Sequence, residues 1–179
     1  MDPNITTIDP GMVAIIAVSY AMNFLISAFT IVVIWLIFNK AKRPGWAALI
    51  PFYNSYILNE ISGLSVLWFV IGTIFSVLSG VAMSIGFIII ILEIDKGTNG
   101  IVMGGIISLS LAVIFSIVVF IWWIKLVKGM AKSFGQSTAF AVGLFFFYVI
   151  FMAIIAFDKK IQYQGDEKEI AEEAAKALE

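Results

Sequence analysis

The sequence predicts an all-α integral membrane protein: a four-helix bundle with an interfacial cytoplasmic linker and a short charged C-terminal helix. Three observations carry this expectation. Of 179 residues, 61% are hydrophobic and 13% charged, with a mean hydropathy of +1.05, whereas a soluble domain carries roughly a quarter charged residues. The charges are gathered between long charge-free blocks instead of being thinned evenly, which is how bilayer-spanning segments read. Two of those blocks also carry stripes of small side chains at helical spacing.

The blocks run from about Met12 to Phe38, Leu64 to Leu92, Ile101 to Ile124 and Ala139 to Phe157. All but the last exceed the ~20 residues needed to cross a ~30 Å hydrocarbon core. In lipid every backbone N–H needs a partner within the segment, so each block is expected to be helical. Residues 1–158 then form the membrane domain and 159–179 a charged tail. In that tail Asp166, Glu167, Glu169, Glu172 and Glu173 alternate with Lys168 and Lys176 around Ala-rich positions, a pattern that favours a solvated helix. Residues 1–10 hold no Lys or Arg, so the first block reads as a retained span, not a cleaved signal peptide.

Orientation follows from the basic residues. Lys40, Lys42 and Arg43 follow the first block and Lys125, Lys128 and Lys132 the third, while the Glu93–Gly100 turn holds only Lys96. The positive-inside rule places the N-terminus outside a cell membrane and both basic linkers in the cytoplasm. Four crossings leave the C-terminus outside. Lys159 and Lys160 directly after the fourth block pull the other way; a re-entrant hairpin there would put the tail in the cytoplasm. The length of the block favours a full crossing.

Gly72, Ser76, Gly80 and Ser84 recur every fourth residue in the second block, as do Gly104, Ser108, Ala112 and Ser116 in the third. Such small-residue stripes let helix backbones approach closely in lipid. Together with the turn formers between Asp95 and Gly100, they predict an antiparallel hairpin of the second and third spans; packing of one stripe on a second copy is the rival. The first block has a polar stripe, Ser19, Asn23 and Ser27, with Tyr20 and Thr30 close by. It fits interhelical hydrogen bonding and, alternatively, the lining of a neutral polar path.

The linker Lys40-Ala41-Lys42-Arg43-Pro44-Gly45-Trp46-Ala47-Ala48-Leu49-Ile50-Pro51-Phe52-Tyr53-Asn54-Ser55-Tyr56 is too apolar for a soluble loop and too broken by Pro44 and Pro51 for a span. Trp46, Tyr53 and Tyr56 suit headgroup depth, and the basic end suits anionic lipid. Its Lys42, Arg43, Pro44, Trp46, Pro51, Tyr53 and Asn54 form a candidate interfacial motif. This run resembles a bacterial family of small multi-span membrane proteins of unknown function, whose members show KAGKPGWAALIPIYNLYV or similar after the first helix. Some members are joined to, or carry the name of, signal peptidase I. A second similarity lies at Ala131-Lys132-Ser133-Phe134-Gly135, followed by Phe140, Gly143 and Leu144. The family has one apolar block with a Pro-x-x-Asn break between the two motifs, where this chain has two full spans. The family's last block is Pro-kinked, where this chain has Tyr148 and Ala153. Both departures favour an intact four-span bundle. The resemblance implies a membrane module, often near secretion machinery, and no reaction.

The chain has no Cys and no His, which removes disulfides, thiolate nucleophiles and imidazole acid–base chemistry, along with zinc and haem sites of the usual ligands. No block contains an ionisable side chain other than tyrosine, against a proton-coupled carrier or voltage sensor. Lys132-Ser133 falls in a basic linker, the wrong place for a signal-peptidase Ser/Lys dyad, and an intramembrane serine protease lacks its His. Glu93 and Asp95 read as solvated span-end charges. The net charge of −1 gives no reason to expect a nucleic-acid partner. The expectation is a non-enzymatic protein without metal or cofactor, in contact with membrane lipids and assembling with itself or with a membrane partner in the cell envelope. The alternative is a small oligomeric channel or carrier lined by the first span.

Overall fold

The computed structural model describes residues 9–93 and 99–165, and every element assigned among them is helical. Three helices are long and apolar enough to cross a membrane: Pro10–Lys40, Val66–Leu92 and Met103–Ser133. The elements in order are α1 (Pro10–Lys40), a 3-10 turn (Gly45–Leu49), α2 (Pro51–Ile61), α3 (Val66–Glu93), α4 (Asn99–Ser133), α5 (Thr138–Phe146) and α6 (Tyr148–Phe157). Most of the turn expected between Asp95 and Gly100, and the charged tail beyond Gly165, lie outside the described residues.

Local chemistry sets the helix ends. Asp9 caps α1, its Oδ1 accepting from Gly11 N at 3.1 Å with Pro10 in the first turn, as a side-chain acceptor before a first-turn proline should. Gly63 (φ 69) ends α2 and Gly135 (φ 65) ends α4, both in the left-handed conformation that glycine takes without strain. At the α4 end, Gln136 N donates to Ala131 O at 2.8 Å, satisfying a last-turn carbonyl.

α3 and α4 form the expected antiparallel hairpin, but on a different seam from the one the stripes suggest. Phe75 meets Phe115 edge-to-face at 5.6 Å. Ser79 Oγ donates to Ala112 O at 3.0 Å, and Ser108 Oγ to Ala82 O at 2.7 Å. Gly86 faces Leu109 and Gly105, and Gly72 lies under the Trp122 ring. The seam therefore runs 72, 75, 79, 82, 86 on α3, a 3-4-3-4 spacing, against 122, 115, 112, 108, 105 on α4, a 7-3-4-3 spacing. At 3.6 residues per turn, a row of every fourth residue drifts by about 40° per step, whereas a seven-residue repeat drifts only ~20°. Gly72, Ser108 and Ala112 consequently lie on the seam. Ser76, Gly80, Ser84, Gly104 and Ser116 are exposed, with nothing within 4 Å of a Cβ placed on Gly80 or Gly104. Ser76, Ser84 and Ser116 bond carbonyls of their own helices.

The fourth block is not one helix. α5 ends at Phe147 (φ −126, ψ 52) and α6 begins directly after it. The two double back on each other: the Phe140 and Phe151 rings meet edge-to-face at 4.9 Å, and the Phe151 ring fills the space beside Gly143. In a straight helix Phe140 and Phe151 would be about 16 Å apart along the axis. The segment after α6 returns to the end of α4, where Gln164 N donates to Ser133 O at 2.8 Å and Tyr163 packs on Phe134. The expected fourth span is thus a helical hairpin that starts and finishes at the same end of the molecule.

The core lies at that end too. Val33, Ile37 and Phe38 of α1, Ile57 and Ile61 of α2, Met130 of α4 and Phe134 just after it, Leu144 of α5, and Met152 and Ile155 of α6 are all buried in it. Every Lys and Arg among the described residues (Lys40, Lys42, Arg43, Lys125, Lys128, Lys132, Lys159 and Lys160) belongs to the same half of the molecule. Two apolar surfaces gain little by leaving lipid for each other, so burial is effective at the charged end, where the helices approach water. Away from it, Val77, Leu78, Val81, Ile114 and Ile117 are exposed. Apolar surface of this extent belongs against hydrocarbon, not water.

The seam makes a direct prediction. A Cβ on Gly86 meets Leu109 Cγ at 2.9 Å and Gly105 O at 3.0 Å, so Gly86→Ile should lower stability by about 1–3 kcal/mol through overpacking. Gly80→Ile points into open space and should leave thermal unfolding in detergent unchanged within about 0.5 kcal/mol. Equal effects of the two substitutions would refute the seam.

Candidate functional site

Because every described Lys and Arg lies in one half of the molecule, the candidate site is the basic end, and its geometry is built from the linker. The motif predicted to be interfacial folds as a 3-10 turn followed by α2. Pro44 precedes the 3-10 turn, Pro51 opens α2, and Asn54 Nδ2 donates to Ala48 O at 3.2 Å, joining the two. Gly45 is buried against the Trp35 indole and Asn39 of α1, where a Cβ would overlap both. Arg43 forms an ion pair with Glu60 of α2 at 2.9 Å. Trp46, Tyr53 and Tyr56 stack in sequence at 5.6 and 6.1 Å, and Tyr56 meets Phe69 of α3 edge-on at 5.7 Å. This aromatic ladder, with Trp46 half-exposed at its end, presents the residue types that settle at headgroup depth.

Lys42 stands in the left-handed region (φ 58). Arg43 N donates to Phe38 O at 2.8 Å across it, closing the end of α1. That geometry asks for glycine, where this chain has lysine. Lys42 is exposed, so the strain is of the backbone.

Asn59 is a residue that sequence reading missed. It is buried, with Nδ2 donating to Leu64 O at 3.1 Å and Ser65 O at 3.2 Å, and Oδ1 accepting from Trp122 Nε1 at 3.1 Å. The amide therefore fixes the entry to α3 and binds α4 to it. Trp122 also covers Gly72, and Gly129 lets α4 approach the Ser62 carbonyl. The only available signal was an Asn three residues before a Ser-Gly pair. Lys40 was read only as part of the basic linker. Its Nζ donates to the carbonyls of Ile155 (2.6 Å), Asp158 (2.7 Å) and Ile161 (3.2 Å). Those carbonyls belong to the end of α6 and the chain beyond it, and the cation also opposes the negative end of the α6 dipole.

The polar stripe of α1 lies far from this end. Asn23 Nδ2 donates to Ser19 O at 2.9 Å and Ser19 Oγ to Ile15 O at 2.8 Å, both within the helix. Ser19, Asn23 and Ser27 are exposed, as is every residue from Pro10 to Phe29. Among the described residues no other helix covers them, and they form no site with the linker motif. Lys125 lies over the Trp68 ring at 4.5 Å. Ser133 is buried and donates to Gly129 O at 3.0 Å. Among the described residues no group of three or more His, Cys, Asp or Glu could hold a metal.

Replacing Lys42 with glycine removes the left-handed penalty of about 1–2 kcal/mol, less the ~1 kcal/mol that glycine adds to the entropy of the unfolded chain. Lys42→Gly should thus raise the thermal midpoint slightly or leave it unchanged, while Lys42→Val should lower it. A loss on Lys42→Gly as large as on Lys42→Val would show that the side chain, not the backbone, matters there.

A family of unknown function (DUF5684) matches residues 88–166, a stretch that takes in the end of α3 and all of α4, α5 and α6. The match covers the folded-back pair and the basic end of α4 but does not reach the linker motif. No curated protein and no solved structure matches the chain. Over residues 88–166, therefore, this chain is similar to that family.

Proposed function

We propose that the chain is a non-enzymatic accessory protein of the cell membrane that assembles with a second copy of itself through the outer half of α1. One observation carries this reading: every residue from Pro10 to Phe29 is exposed, Ser19, Asn23 and Ser27 among them. A carboxamide has a carbonyl oxygen and two N–H groups to satisfy, and Asn23 uses one N–H on its own helix. In hydrocarbon the remaining groups are costly until another helix covers them. Two copies of the same stripe can pair their amides reciprocally, donor to acceptor. The stretch carries no charge that would select a different partner.

The same reading takes three crossings and a re-entrant α5–α6 hairpin, with the basic end in the cytoplasm by the positive-inside rule. Lys159 and Lys160 then join the other basic residues, which removes the conflict that four crossings create. The absence of ionisable groups other than tyrosine from the spans supports a passive role over a coupled carrier. A link to secretion machinery rests on the motif resemblance alone.

Photobleaching step counts in nanodiscs should show assemblies of two or more copies. Asn23→Leu should weaken association about three- to thirtyfold, from ~0.6–2 kcal/mol per interhelical contact. With no native cysteine, Ser27→Cys should form a disulfide-linked dimer on oxidation. A monomeric wild type, or association indifferent to Asn23→Leu, would reject this assembly. Ion flux through rings of the wild type, blocked by Asn23→Leu, would replace the accessory reading with the channel.

A further inference from the structure

We propose that the cleft between α4 and α5 is a binding site for one anionic phospholipid. The cleft runs along one face of α4, where residues 132, 128, 124 and 120 follow at helical spacing as Lys, Lys, Ile and Phe. Twelve residues of helix span about 18 Å, so a single groove passes from cationic to wholly apolar. Its floor has a volume of about 360 Å³ and is lined by Phe120, Ile124, Val127, Val142, Phe145 and Phe146. Its mouth adds a recess of about 440 Å³ lined by Lys128, Lys132, Gln136, Ser137 and Thr138. Lys128, Thr138 and Ala141 border both, so the two compartments adjoin. Each lies within the ~300–1,000 Å³ of ordinary ligand clefts.

The mouth offers complementarity to a phosphate. Lys128 is exposed and borders a third recess with Lys125 as well. α5 begins at the mouth, capped by Ser137, whose Oγ accepts from Phe140 N at 3.3 Å. The first-turn N–H groups of α5 and the positive end of its dipole therefore face the recess. The floor offers no polar side chain beyond those at its rim, which suits a hydrocarbon chain and nothing hydrated. Headgroup and acyl chain thus have separate places at the matching depth. A free phosphate would use only the upper compartment, and a zwitterionic lipid would gain little from Lys128.

Native mass spectrometry of protein from nanodiscs with equal phosphatidylglycerol and phosphatidylcholine tests this. One phosphatidylglycerol should be retained preferentially. Lys128→Gln should reduce that preference about fivefold, from ~1 kcal/mol per interfacial cation. Val142→Trp, which fills the apolar floor, should reduce retention comparably. Lys160→Gln, a basic change at the same end but outside the cleft, should leave it intact. Thermal unfolding of each variant checks that it is folded. Equal retention of the two lipids would overturn the proposal, as would equal losses from Lys160→Gln and Lys128→Gln. Displacement by inorganic phosphate, with Val142→Trp neutral, would identify a phosphate site and reject the lipid.

Discussion

The ammonium group of Lys40 holds the last turn of α1 to the end of α6 through three carbonyls. Carbonyls at a helix end have no partner within the helix, and near lipid each orphan costs several kcal/mol. One cation satisfies several of them at once, at the negative pole of the α6 dipole. The consequence is topological. α5 starts just beyond the end of α4, and α6 must finish beside the end of α1, so the apolar segment between has to fold back on itself. Phe151 seated over Gly143 makes the fold-back compact, and Tyr163 on Phe134 closes the return.

From that tie follows an asymmetric molecule. Core, linker and the cations among the described residues share one end, while α1 and the α3–α4 hairpin extend from it as separate arms. α1 packs mainly on the 3-10 turn and α6, and the hairpin is joined to the linker chiefly through α2 and the Asn59–Trp122 bond. The arms present apolar faces to lipid, and the first carries amide and hydroxyl groups that another helix can use. Assembly along α1 and lipid binding between α4 and α5 would occupy different faces, so neither excludes the other.

Much of this was legible in the sequence, and the failures have identifiable physics. Length and charge-free composition suffice for three spans because lipid leaves the backbone no alternative to helix. The hairpin of α3 and α4 was legible as well, but the every-fourth-residue stripe was not its seam. Packed antiparallel helices follow a seven-residue repeat, which on α3 selects Gly86 over Gly80 and on α4 selects Gly105 over Gly104. The fourth block contains neither proline nor charge at its midpoint, and the absence of proline at Tyr148 argued for an intact span. The break at Phe147 is instead tertiary, set by ring packing and by a lysine more than a hundred residues earlier. The local clue was Lys159-Lys160, which the positive-inside rule placed on the wrong side of a full crossing. Asn59 and its partners were illegible because a buried amide in the last turn of a helix looks like any polar helix-end residue until the facing helix is in place.

The account stands or falls on where α6 ends. The chain has no cysteine, so single substitutions at Asp9, Lys42 and Gln162, all exposed, can be labelled with a membrane-impermeant maleimide on sealed vesicles of defined orientation. A re-entrant hairpin predicts that Cys at 162 reacts from the same side as Cys at 42, and Cys at 9 from the opposite side. Reaction of 162 together with 9 would mean that the last block crosses the bilayer, contradicting the fold-back held by Lys40.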